Sequence, residues 1–277
     1  MSDVFVSGGA TLSCHDSGSG LPVIFLHPTP LDHRYWLPLI HALPGIRAVA
    51  PDFRGHGASE LGSDLPVGGF SLAPDAPVLT MARLAEDTLA LMNHLDLQSA
   101  VFSGCSIGGY VLMELWRQAP ERIRGLAIVC SKPQPDADAN RQKRAATIAQ
   151  ARKGELAAIF DGNAETLIGA TARARTPQMV PELRSHMTLT AEALVAVQAG
   201  LATRPDSLST VATITVPILA IAGGEDSGIT PGEMRAFLAA PGGCDFHLLP
   251  DAGHFAAYEQ PSTVSALFAP WLRQFQS

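Results

Sequence analysis

Short, fully apolar runs punctuate the chain at 23–26 (VIFL), 48–50 (AVA), 100–102 (AVF), 126–129 (LAIV) and 218–221 (ILAI). Each is too short for a helix, and most are bounded by Gly, Pro or Asp. Unbroken rather than alternating apolarity marks strands covered on both faces, as in a parallel sheet. The run 246–249 (FHLL) is less uniform and is expected nearer a sheet edge. Between the runs, apolar positions fall at helical spacing. Met81, Leu84, Thr88, Met92 and Leu95 recur at i, i+3/i+4 behind Thr80, a residue suited to capping the first turn. The stretch 107–119 predicts a second helix, ended by Pro120. Val264, Leu267, Phe268, Trp271, Leu272 and Phe275 predict another, which Pro270 is expected to kink or split. Strands alternating with helices predict a doubly wound, mostly parallel α/β sheet with right-handed crossovers.

Two segments break this rhythm. Residues 60–78 are rich in Gly, Pro and Asp without a period, which reads as a surface loop. Residues 132–205 hold helical stretches and no convincing strand, with 10 Lys/Arg against 7 Asp/Glu, while the rest of the chain carries 9 against 19. The expected organisation is a core domain, 1–131 and 206–277, with 132–205 inserted as a helical cap. An added layer of surface helices is the plainer alternative.

Composition narrows the classes. A chain of 277 residues, 47% hydrophobic and 16% charged, is long and apolar enough to bury a sizeable core. A net charge of −7 argues against a nucleic-acid partner. No apolar run reaches the ~18 residues of a membrane span, so no membrane association is expected. The first ten residues show neither a basic nor an apolar region, so no signal peptide is read. Cys14, Cys105, Cys130 and Cys244 are scattered without metal-ligand spacing, and read as reduced thiols of a cytoplasmic protein that needs no metal.

The chemistry begins at 104–108 (GCSIG), a G-x-S-x-G set between the apolar run 100–102 and the helix 107–119. In a strand–turn–helix setting the central residue, Ser106, is held in a strained turn with its hydroxyl exposed at a helix N-terminus. A helix-capping Ser is the plainer alternative. Cys105 precedes the tip and is expected to be a buried, inert thiol. A Ser hydroxyl needs a base. His254 lies in the loop 251–255 (DAGHF), after one strand-like run and before the last helix, where α/β sheets build their sites. His27 and His56 also follow strands and are read as turn-stabilising residues. The orienting carboxylate is read as Asp226, just past the run 218–221, with Glu225 the neighbouring alternative. The order Ser106, Asp226, His254 suits a triad. The oxyanion then needs two donors, read as the N–H of Ile107 and the N–H of Thr29, the only main-chain donor in Pro28-Thr29-Pro30.

With these residues in place, the chain resembles the α/β-hydrolase superfamily, and within it the bacterial small carboxylesterases and enol-lactonase-like hydrolases. The resemblance rests on HPTPLDHRYW (27–36), PDFRGHGAS (51–59), the elbow, helix and strand at 104–129, RPDSL (204–208), VPILAIAGGEDSGITP (216–231) and DAGHFAAYEQP (251–261). Pro28 stands where the family usually has Gly, and the loop 60–78 is longer than usual, bordering the pocket mouth if it lies near it. The resemblance implies a serine carboxylic-ester hydrolase acting on small soluble esters through an acyl-enzyme, without cofactor. The same residues serve lactones, thioesters, perhydrolysis or C–C cleavage, or a ligand receptor with slow turnover. Ser at 106 excludes a nucleophilic Asp. Ile159, Phe160, Leu167, Ile168, Met179, Met187, Leu189, Leu194 and Val197 are more apolar than a thin surface layer needs. Some of them are expected to line an acyl pocket for short to medium chains.

Overall fold

The structure, a computed structural model, describes residues 2–276. All five apolar runs are strands. β1 (Ser2–Ser7) and β2 (Ala10–Gly18) precede β3 (Leu21–Leu26), β4 (Ile46–Pro51), β5 (Ala100–Cys105), β6 (Ile123–Val129), β7 (Ile218–Gly223) and β8 (Cys244–Leu249). They form one sheet of order β1-β2-β4-β3-β5-β6-β7-β8. β2 pairs antiparallel with β1 and β4, and every later pair is parallel. Residues 23–26, 100–102, 126–129 and 218–221 are buried throughout, as unbroken apolarity requires. β8 is the edge strand opposite β1, and its partial exposure explains its mixed sequence.

The hairpin of β1 and β2 was not among the expected strands. Ser7 pairs with Ala10, so the turn is Gly8-Gly9, both at positive φ. Two glycines between short alternating segments are a hairpin signal. It is easily missed because β1 buries Phe5 while Val4 and Val6 face solvent.

The helices are α1 (Leu37–His41), α2 (Met81–His94), α3 (Ile107–Gln118), α4 (Asp138–Arg152), α5 (Leu156–Leu167), α6 (Ala170–Arg175), α7 (Met179–Ser185), α8 (Ala191–Ala202), α9 (Leu208–Val211), α10 (Pro231–Met234), α11 (Ala256–Glu259) and α12 (Pro261–Leu272). Thr80 caps α2 by accepting from the Arg83 N–H. α2 and α3 pack together beside β5, while α1, α11 and α12 form a separate group. α12 runs through Pro270 as one helix, because Val264, Phe268, Trp271 and Leu272 bury its inner face and offset the lost hydrogen bond.

Between β6 and β7 the chain forms α4 to α9 and no strand. Its apolar side chains mostly meet each other: α4 packs on α8, and α5 on α7. The loop 60–78 carries only an isolated bridge between Val67 and Pro77. It buries Phe70 beneath Arg141 of α4, and Arg152 pairs with its Asp75. Leu79, just past the loop, donates its N–H to Ala196 O of α8. The loop thus braces α4 and α8 from outside. No helix among the described residues is long and apolar enough to cross a membrane.

Candidate active site

Ser106 joins β5 to α3 with φ 53° and ψ −115°, a region that costs a residue with a Cβ of order 1–3 kcal/mol. The turn is tight on every side. A Cβ at Gly104 would lie 2.5 Å from Gly108 C, and one at Gly108 would lie 2.2 Å from Leu26 O. The Ser106 N–H donates to Val129 O, and its carbonyl accepts from the Ser131 hydroxyl at 2.8 Å, so the end of β6 and the residues just past it clamp the strained residue. Ile107 opens α3, and its N–H belongs to the first turn, which no helical carbonyl reaches.

Asp226 follows β7, and its two carboxylate oxygens have separate tasks. Oδ1 accepts the N–H groups of Gly228 and Ile229 at 2.7 and 3.0 Å. Oδ2 lies 2.8 Å from Nδ1 of His254, in the loop after β8. With Nδ1 engaged, Nε2 is the ring nitrogen left to the cavity that His254 lines together with Ser106. Burial opposes a charge on His254, but the carboxylate of Asp226 outweighs it and raises the imidazole above its ordinary value. Burial likewise pushes the Asp226 carboxyl up, and His254 with the two loop amides more than reverses this. Glu225 turns elsewhere, to the N–H and hydroxyl of Thr171 in α6.

The other candidates are accounted for. His27 is fully buried; Nδ1 donates to Pro28 O and Nε2 accepts from the Phe53 N–H, while burial lowers its pKa. His56 donates from Nδ1 to Arg54 O, and burial drives its pKa down to about 3. Its Nε2 therefore accepts the Thr29 hydroxyl at 2.9 Å. That commits the Thr29 hydroxyl and leaves its main-chain N–H without an acceptor among the described residues. The turn carrying His56 is itself fixed by Arg54, fully buried and forked onto Asp87 at 2.7 and 3.0 Å. Cys105 is buried against the Tyr35 hydroxyl, and desolvation pushes its thiol pKa up.

Thr29, Ser106 and His254 open on one cavity of about 390 Å³ between the strand ends and α4, α5 and α8. Of the nine apolar residues expected to shape it, only Leu167 and Leu194 do so. Phe160, Ile168, Met179, Met187, Leu189 and Val197 are buried elsewhere, in the packing of the helices and the core. Nor does any residue of the loop 60–78 line it. The lining is instead largely polar and includes Lys132, Asp136, Asn140, Lys143, Arg144 and Gln198. Sequence reading missed these residues. Their signal was the basic excess of 132–205, beginning at Lys132 three residues past β6. A larger, open groove of about 770 Å³ near Trp116 and Thr213 contains none of the candidate residues.

The loops after β7 and β8 are bonded to the helical segment. The His254 N–H donates to Leu167 O at the end of α5. Glu259 accepts N–H groups from Gly253, Phe255 and Gly169, the last being the residue before α6. Gly253 and Gly169 touch by backbone, and a Cβ on Gly253 would lie 2.3 Å from Gly169 N. Among the described residues, Asp32, His33 and Asp52 bring potential metal ligands within 4.8 Å of one another. Their needs are met internally, since Arg34 forks Asp32 and His33 bonds Asp52 through both its N–H and Nδ1.

Comparison with known proteins agrees with this architecture. The chain is 27% identical to an AB hydrolase superfamily protein of Bacillus subtilis over 268 residues, covering 94% of each. It is 25% identical to 3-oxoadipate enol-lactonase 1 of Acinetobacter baylyi over 282 residues, covering 97% of this chain and 95% of the relative. A malate-bound thermophilic esterase from Thermogutta terrifontis superposes with a TM-score of 0.88 at 29% identity, over 99% of this chain and 97% of that one. The model of the alpha/beta hydrolase family matches residues 23–267, nearly the whole described chain, and the protein belongs to that family.

Proposed function

We propose that the protein is a serine hydrolase of small carboxylic esters or lactones, with Ser106 as nucleophile, His254 as general base and acid, and Asp226 as the group orienting His254. The observation that carries this reading is the strained Ser106 on the same cavity as an imidazole whose Nδ1 is held 2.8 Å from a buried carboxylate. Ser106 Oγ attacks the substrate carbonyl carbon while His254 Nε2 takes its proton. The carbonyl π electrons move to oxygen, and the N–H groups of Thr29 and Ile107 stabilise the resulting oxyanion. Collapse expels the alcohol, protonated by His254, and leaves an acyl-enzyme. Water, deprotonated by His254, then releases the acid and restores Ser106. Asp226 stays ionised throughout and stabilises the imidazolium.

Residues 132–205 act as a helical cap in this reading. A cavity of about 390 Å³ is at the low end of the ~300–1,000 Å³ of small-molecule sites. It suits small soluble substrates and not polymers. The esterase and enol-lactonase among the similar proteins support the same bond type. The test is a panel of p-nitrophenyl esters of increasing acyl length and of simple lactones, run on wild type and Ser106→Ala. Turnover on short esters or lactones that Ser106→Ala abolishes is expected. Trace turnover on every member, equal in the two proteins, would overturn the reading.

A further inference from the structure

The charge of the cavity opposes that of the molecule. The chain carries a net −7, yet Lys132, Lys143 and Arg144 line the cavity against one carboxylate, Asp136. Asp136 is already committed to two guanidinium groups, Nε of Arg144 and Nη1 of Arg204, the latter at 2.7 Å. Arg204 lies over the Tyr110 ring, 4.1 Å from its centroid, and Tyr110 is also on the cavity wall. Lys132 pairs with Glu233. With these neighbours and Asp226 behind His254 included, four cations stand against three carboxylates around the cavity.

Arg144 is the residue that most needs a partner. Its Nε serves Asp136 and its Nη1 donates to Gln198 Oε1 at 3.0 Å, while Nη2 has no acceptor among the described residues. The two internal bonds fix the plane of the guanidinium and leave Nη2 as its remaining donor. Lys143, the preceding residue, is exposed and has no acceptor either. Lys132 follows Ser131, whose hydroxyl holds the Ser106 carbonyl, and lines the same cavity with its ammonium paired to Glu233. A pre-oriented guanidinium with a free Nη2 suits a carboxylate, which accepts charge-assisted hydrogen bonds.

We propose that the cavity selects esters or lactones that carry a free carboxylate besides the scissile group, bound by Arg144 with Lys132 and Lys143 supplying the surrounding positive field. The proposal rests on the hydrolase reading above and specifies its substrate class. The carboxylate is a spectator in the chemistry: it positions the substrate and takes no part in bond exchange. One free guanidinium nitrogen suits a monoanion better than a phosphate dianion, which asks for more donors.

The test compares monomethyl glutarate with methyl 4-carbamoylbutanoate, which are the same size and differ in charge, by pH-stat. Wild type is expected to prefer the carboxylate ester in kcat/KM by about tenfold or more, the scale of one charge-assisted hydrogen bond. The preference is expected to shrink as NaCl is raised. Arg144→Gln is expected to lower kcat/KM for the carboxylate ester about ten- to a hundredfold more than for the carboxamide ester, with Arg144→Lys in between. Lys143→Gln, at an exposed position safe for folding, is expected to move the ratio the same way by less. In parallel, calorimetry on Ser106→Ala is expected to detect glutaramate, but not glutaramide, and phosphate more weakly than glutaramate. A wild-type ratio at or below one overturns the proposal, as does a ratio unmoved by Arg144→Gln and Lys143→Gln. So does phosphate binding more tightly than glutaramate, or equal silence from glutaramate and glutaramide. Absence of turnover on both esters would count against the hydrolase reading, and the calorimetry would still decide the anion site.

Discussion

Replacing Asp226 by Asn changes one atom and is expected to disable His254 in two separate ways. Oδ1 of Asp226 accepts the N–H groups of Gly228 and Ile229, so the Asn must keep its carbonyl oxygen there. Its NH2 then faces His254 Nδ1, where the carboxylate stood at 2.8 Å. A donor at that place makes Nδ1 an acceptor and forces the ring proton onto Nε2. That tautomer cannot accept the Ser106 proton, and kcat is expected to fall by about 10⁴, the cost seen when a triad Asp is so replaced. The second effect is on titration. Burial lowers the His254 pKa, and in wild type Asp226, with a smaller contribution from Glu259, lifts it above the ordinary value of about 6.5. Without the carboxylate the burial effect wins, so the midpoint of the residual activity shifts to lower pH. The assay is kcat/KM on one short ester from about pH 4.5 to 9, where the profile reports the free enzyme. Activity within tenfold of wild type, or a midpoint that stays in place or rises, would refute the reasoning.

In wild type the activity is expected to rise with pH to a midpoint above about 6.5, because the raised His254 pKa keeps the base protonated further into the neutral range; a midpoint below that value in kcat/KM would contradict it. The same raised pKa has a stability consequence: the folded state holds the His254 proton more tightly than the unfolded chain, a contribution full below pH ~6.5 and lost as pH climbs through the folded value, so Asp226→Asn should lose more stability in urea at pH 6 than at pH 9. Glu259→Gln keeps one acceptor oxygen but sets an NH2 against main-chain N–H groups of Gly253, Phe255 or Gly169. Urea unfolding is expected to show a loss of about 1–3 kcal/mol for the unsatisfied donors. Because His254 lies between two of those amides, kcat is expected to fall as well, and an unchanged kcat with lowered stability would confine Glu259 to a structural role.

The sheet was legible because a strand buried on both faces has little choice of residue. Residues 23–26 and 218–221 are apolar without a break and are fully covered. The loops within about five residues past such runs sit at strand ends, which is why Ser106, Asp226 and His254 were singled out from a chain with nine His. The same logic failed at β1, where an alternating edge strand with exposed Val4 and Val6 leaves no comparable mark. It failed again in the cavity. Phe160, Met179 and Val197 reveal in sequence that they are buried, but not whether a ligand or another helix buries them. In the structure it is mainly the helices, and the wall is left to Lys132, Asp136, Arg144 and Gln198. Charged side chains read as solvated until the fold shows that two elements face each other. Pro270 misled for a related reason, since packing of Trp271 and Phe268 outweighs a lost main-chain hydrogen bond.

The central claim is that Ser106 becomes acylated, and covalent trapping tests it most directly. Wild-type protein treated with a fluorophosphonate and analysed by intact-mass and peptide mass spectrometry is expected to gain one adduct. It should map to the peptide bearing Ser106, with ester hydrolysis lost in proportion to labelling. Ser106→Ala, folded by its unfolding curve, is expected to take no label and to lose hydrolysis by several orders of magnitude. A label on another residue, or Ser106→Ala retaining a tenth of the wild-type rate, would contradict the account.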